Sequence, residues 1–231
     1  MHGLKSPRWV RALRKLQGYL RTFGFSSGIK NVILLRIIKP AGAVEVFVPE
    51  LKQRICLRPR TSDVYVFESL VVDGAAKPLR RLIDAIDEKP GIIIDAGANI
   101  GISTAFFSML WPRKHIVAIE CDKENFLVLA SNCESLPNVS LVNAALWSHD
   151  GVVSLKNPND EKWSISVTES DEALGQAVAA LSLVSVIRSC GGDCVAYLKL
   201  DIEGAEREVL QSLDPAEVPI AYACVELHER K

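Results

Sequence analysis

The sequence predicts an α/β protein built on a mainly parallel sheet with helices on both faces. Two observations carry this. Short, nearly continuous apolar runs alternate with stretches of helical period, as strands buried on both faces do when crossover helices join them. In addition, successive runs end in acids, at Asp95, Glu120, Asp201 with Glu203, and Glu226 with His228. Acids gathered at strand ends mark the edge where open α/β sheets place a ligand crevice.

The central element is Gly91 to Phe107. Ile92 to Ile94 form a strand bounded by Pro90-Gly91; Asp95, Gly97, Asn99 and Gly101 make a turn; Ile102, Ala105, Phe106, Met109 and Leu110 recur at helical spacing before Pro112. Such a turn brings backbone N–H groups and a helix N-terminus to the sheet edge.

Before it, residues 7 to 23 place Trp9, Leu13, Leu16 and Leu20 on one face of a helix whose other positions are rich in arginine. Two readings stand: a helix that caps the sheet, or an interfacial helix with a basic polar face that makes peripheral membrane contact. Gly24, Ser26, Ser27 and Gly28 are expected to form a linker. Val44 to Val48 and Arg54 to Leu57 read as a hairpin, and Leu79 to Glu88 as a helix ending before Pro90. After the central motif the sequence predicts strands at His115 to Ile119, Asn138 to Leu146 and Val152 to Leu155. Helices are expected over Glu124 to Ser135 and within Ala173 to Ser189. Asn157 to Asp160 reads as a loop. Val195 to Leu200, a helix from Glu206 to Leu213, and Ala221 to Val225 complete the pattern. The division expected is a basic extension over residues 1–57 and a catalytic domain over 58–231.

Net charge is −1, but residues 1–60 carry +11 and the remainder −12. The basic front suits an anionic lipid surface or its own acidic domain; nucleic acid is not the expected partner. No run reaches the roughly 20 apolar residues of a membrane span, and the basic N-terminus lacks the apolar block of a secretory signal. The expectation is a cytoplasmic protein, with membrane contact at its periphery. The six cysteines show neither CxxC pairs nor zinc-ligand spacing, as free thiols in a reducing compartment would.

Charge also discriminates among cofactors. A dinucleotide fingerprint requires glycine at 97, 99 and 102, where the chain has Gly97, Asn99 and Ile102. Asp95 would also repel a pyrophosphate. Glu120, 25 residues on, suits ribose hydroxyls, so a ribose-bearing ligand with a cationic end fits better.

Several motifs then resemble one family. Asp-Ala-Gly-Ala-Asn-Ile-Gly at 95–101, Ala-Ile-Glu at 118–120, Asn-Ala-Ala-Leu-Trp at 143–147, Leu-Lys-Leu-Asp-Ile-Glu-Gly-Ala-Glu at 198–206 and Val-Glu-Leu-His at 225–228 are similar to the FkbM methyltransferases. The resemblance implies a class I, Rossmann-like methyltransferase fold using S-adenosylmethionine, with transfer to a hydroxyl on a sugar, lipid-linked or natural-product small molecule. Carried over by position, Gly97, Asn99 and Gly101 shape the turn against the cofactor. Asp95 faces its methionine portion, Glu120 holds the ribose, and Asn143 or Ala144 borders the adenine. Asp201, Glu203 and His228 are the candidates for base or acceptor positioning; Asp201 and Glu203 are also candidate ligands of a divalent metal. The sequence stops three residues after His228, so the helix and antiparallel hairpin that complete such a sheet are expected to be missing. A cofactor-binding scaffold recruited through the basic helix is the alternative function.

Overall fold

The computed structural model describes residues 7–156, 164–166 and 175–226. They form two compact units that divide between Arg80 and Arg81.

The first unit opens with α1 (Arg8–Phe23), which Gly24 ends at φ +76°. The expected linker is instead a second helix, α2 (Phe25–Val32). Gly28 is the reason: a Cβ there would lie 2.9 Å from the Tyr19 carbonyl oxygen, so this glycine permits a close helix contact and does not break the chain. A π-helical turn, Ile33–Ile38, leads to the expected hairpin, β1 (Val44–Val48) and β2 (Gln53–Leu57). Its alternating pattern buries Val46, Val48, Ile55 and Leu57. Next come α3 (Asp63–Phe67) and a π turn, Glu68–Val72. Residues following 57 therefore belong to this unit's core, where Phe67 stacks on Phe23 of α1 at 6.1 Å.

Two buried acids hold these elements. Asp63 takes three hydrogen bonds from Arg58, each 2.9 Å. Glu68 receives the Arg36 guanidinium on both oxygens, the Tyr19 hydroxyl at 2.9 Å and the Lys15 ammonium at 3.3 Å.

Where the two units divide, the helix expected over 79–88 is itself divided. A 3-10 stretch, Lys77–Leu82, ends where Leu82 takes φ −102° and ψ 0°, and only α4 (Ile83–Asp87) is α-helical. The chain continues through β3 (Ile92–Ala96), α5 (Ile102–Leu110), β4 (Ile116–Ile119), α6 (Lys123–Cys133) and β5 (Val139–Val142). It then passes through β6 (Ala145–Trp147), β7 (Gly151–Lys156), β8 (Ser164–Ser166), β9 (Gly175–Ser182), α7 (Leu183–Ser189), β10 (Val195–Leu200), α8 (Glu206–Ser212) and β11 (Ile220–Val225).

Five strands make one parallel sheet in the order β11-β10-β3-β4-β5. A second sheet has the order β6-β9-β7-β8. One expectation changes here. The strand foreseen over 138–146 splits at Asn143-Ala144, sending β5 to one sheet and β6 to the other. The helical stretch expected through Leu183, Val184 and Ile187 is α7, and residues 175–182 before it are the strand β9, paired with β7 and β6. A helix starts only where the Ser182 hydroxyl caps it by accepting from the Ser185 N–H at 3.1 Å. The loop foreseen at 157–160 lies outside the described residues.

Alternation along β3 sorts its side chains. Ile92, Ile94 and Ala96 enter the cluster with Val186 and Ile187 of α7 and Val209 of α8. On the opposite face Ala118 packs with Leu129 and Cys133 of α6, and Phe107 and Trp111 pack on Tyr197. Helices thus cover both faces, and β3 is buried throughout.

Candidate functional site

All five strands of the parallel sheet run one way, so their carboxyl ends share one edge. Chain order reverses between β3 and β10: successive strands go outward to β4 and β5 on one side, and to β11 on the other. Such a switch point opens a crevice, and Asp95 and Asp201 stand beside it.

Gly97 brings the two flanking loops together. It has φ +75°, and a Cβ on it would lie 1.7 Å from the carbonyl oxygen of Asp201. The turn is then pinned from the neighbouring strand, because the N–H groups of Gly97 and Ala98 both donate to the Ile119 carbonyl at 3.0 Å. Asn99 adopts φ +52°, a left-handed conformation that asparagine tolerates, and its Oδ1 accepts from the Ile100 N–H at 2.8 Å. Gly101, at φ +83°, lets the turn pass Leu129, whose Cδ1 would be 2.6 Å from a Cβ.

Asp95 is fully buried. Its Oδ2 accepts the Ser103 and Thr104 hydroxyls, both at 2.7 Å, from the first turn of α5. Its Oδ1 faces the Lys199 ammonium at 3.2 Å and makes no hydrogen bond of good geometry among the described residues. Lys199 also reaches Asp201 at 3.3 Å and donates to the Gly97 carbonyl at 3.0 Å. Burial pulls the Lys199 ammonium towards its neutral form, but the attraction of Asp95 and Asp201 outweighs that effect and holds its pKa above the ordinary 10.5.

Lys199 was not among the residues singled out from the sequence. The signal was present: a lysine inside Val-Ala-Tyr-Leu-Lys-Leu, a run otherwise fit for burial, requires a buried counter-charge. Register supplies it, since Lys199 lies directly beside Asp95 on the adjacent strand.

Glu120 ends β4 with 7% of its surface exposed. Its Oε2 accepts from the Asn99 N–H at 2.8 Å and its Oε1 from the Asp122 N–H at 2.9 Å. Burial pushes its pKa above the usual 4.5, against the lowering effect of those two N–H groups. Asn143 turns its amide back to donate to the Glu120 carbonyl at 2.8 Å, and Ala144 is buried behind it. Next to Glu120, burial together with the neighbouring acids pushes the Cys121 thiol up to about 12.

The predicted residues are therefore not equivalent. Asp95, Gly97 and Asp201 meet at the switch point, and Asn99, Glu120 and Asn143 form a second connected group. Glu203 is exposed, on a turn where it adopts φ +54°. The loop around it is organised by buried Glu206, whose carboxylate accepts from the N–H groups of Ile202 at 3.0 Å and Gly204 at 2.9 Å. His228 lies outside the described residues. No cluster of three His, Cys, Asp or Glu side chains fit to hold a metal occurs among the described residues.

An open parallel sheet with helices on both faces and acids at its switch point is a Rossmann-like α/β fold. Residues 95–231 match the family model described as the methyltransferase FkbM domain, and the chain belongs to that family. A methyltransferase named sdnD, from Sordaria araneosa, is 30% identical over 155 residues, which cover 53% of this chain. The chain spans about 60% of that relative's length. A solved structure of methyltransferase FkbM from Methylobacillus flagellatus KT is 18% identical, with a TM-score of 0.36 over 53% of this chain and 28% of its own.

Proposed function

We propose that the chain is an S-adenosylmethionine-dependent methyltransferase acting on a hydroxyl of a sugar, lipid-linked or natural-product small molecule. S-Adenosylmethionine is the usual methyl donor of the family. The observation that carries the reading is the pair of buried carboxylates, Asp95 and Glu120, on adjacent strands at the crevice edge. The donor set fits such a cofactor. Glu120 oxygens, each engaged by one N–H, retain a lone pair for ribose hydroxyls, and buried Asp95, paired with Lys199, holds the turn beside them. A pyrophosphate would meet both charges unfavourably.

In this reading Gly97, Asn99 and Gly101 hold the backbone in the shape that admits the cofactor, and Asn143 and Ala144 border its adenine. S-Adenosylmethionine supplies a methyl group already activated for transfer. What remains for the chain is to align a hydroxyl and to take up its proton. Asp201, partly exposed and tethered by Lys199, is the residue assigned to accept that hydroxyl's hydrogen bond. Glu203, exposed on the loop after β10, and His228, outside the described residues, are further candidates.

Calorimetric titration of the full chain tests the reading. S-Adenosylhomocysteine is expected to bind one site per chain, and a nicotinamide dinucleotide is not. Absence of homocysteine-adduct binding overturns the proposal. With binding established, unchanged turnover in Asp201→Asn would remove Asp201 from the reaction.

A further inference from the structure

Helix α1 half-buries the second half of its apolar face, at Leu16 and Leu20, and leaves the first half exposed. Gly18 and Tyr19 are its buried residues, and Gly18 sits against Val72 so closely that a Cβ would meet a Val72 methyl at 2.7 Å. Tyr19 and Lys15 hold Glu68, Lys15 also pairs with Asp73 at 2.7 Å, and Phe23 stacks on Phe67. These contacts fix the second half of the helix. The first half carries Trp9 and Leu13, one turn apart on one side, and they are 69% and 49% exposed. Arg8, Arg11 and Arg14 are exposed on the same half.

Stability alone does not account for this arrangement. The first turn of α1 contains no acid, and Arg8 and Arg11 stand near the positive end of the helix dipole, where a cation is unfavourable. No acidic residue precedes Glu45, whereas nine Lys and Arg do. Beyond α1, Phe25, Ile37 and Ile38 are also exposed by more than half. A basic half-helix carrying exposed tryptophan and leucine matches the interface of an anionic bilayer, with arginines at the headgroups and apolar side chains at the acyl boundary. A nucleic acid would use the arginines but leave the aliphatic side chains in water.

We propose that the first half of α1, with Arg8, Trp9, Arg11, Leu13 and Arg14, binds the surface of membranes containing anionic lipid. No helix among the described residues is long and apolar enough to cross a bilayer, so the contact is peripheral. It brings the chain to lipid-dissolved or lipid-linked molecules and does not rest on the methyltransferase reading.

The test is sedimentation of the full chain with vesicles of phosphatidylcholine alone and with about one third phosphatidylserine, an anionic surface of the kind that attracts basic segments. Binding is expected to the anionic vesicles, to weaken with salt, and to be largely absent from the neutral ones. In R8Q/R11Q/R14Q it is expected to fall about 100-fold, from ~1 kcal/mol per basic residue near such a surface. W9S/L13S is expected to lower it at every salt concentration. All five positions are exposed or at the helix surface, so circular dichroism and homocysteine-adduct binding should match the parent chain. Equal binding to both vesicle types, or undiminished binding by the arginine variant, overturns the proposal. So does a dimer seen by ultracentrifugation that W9S/L13S abolishes while vesicles are ignored, or retention by mixed-sequence DNA without retention by vesicles.

Discussion

Gly97 and Gly204 both adopt positive φ, at +75° and +106°, yet they face different surroundings. A Cβ on Gly204 meets nothing within 4 Å, whereas one on Gly97 collides with the Asp201 carbonyl. Gly204→Ala is expected to cost only the backbone penalty, about 1 to 2 kcal/mol. Gly97→Ala adds overpacking between two strand ends, for a total of about 2 to 5 kcal/mol, and should abolish homocysteine-adduct binding. Guanidinium titration of both variants checks this; equal losses would contradict the close approach. Lys199 permits a second test. Lys199→Met leaves buried Asp95 without its counter-charge, at a cost of about 3 to 5 kcal/mol. Because the folded pKa of Lys199 lies above 10.5, its contribution is complete below pH 10.5 and is lost as pH rises through the folded value. The stability gap between parent and variant should therefore stay level up to pH 10.5 and narrow above it.

Among elements, α1 depends on one acid outside it. Glu68 is almost fully buried and collects Arg36, Lys15 and Tyr19. Glu68→Gln leaves two cations without their shared anion, but both keep access to water, so the expected loss is about 1 to 3 kcal/mol. Loss of α1 helicity by circular dichroism in parallel with that destabilisation is the check. The elements of the parallel sheet were legible in sequence because each strand is a short, mostly apolar run closed by a polar residue: Asp95, Glu120, Asn143, Asp201 and Glu226. Those misread were decided by packing partners: Gly28 looks like a breaker until Tyr19 of the preceding helix packs against it, and the run over 138–146 looks continuous until its two halves pair in different sheets. Periodicity records what a segment buries, and it does not record which strand lies beside it.

At the scale of the whole molecule, the two compact units carry opposite charge: residues 1–80 hold +10 and residues 81–231 hold −11. The acidic edge was readable because its residues end consecutive strands, so sheet order alone gathers them. Lys199 was hidden because its meaning depends on register, which places it beside Asp95. That ammonium donates to the Gly97 carbonyl and forms ion pairs with Asp95 and Asp201. Both loops flanking the switch point are thereby tied before any ligand arrives. Under the proposed function, entry of the cofactor involves little ordering of backbone at the crevice floor, so association should be a single fast phase whose free energy comes from contacts and not from folding of the site.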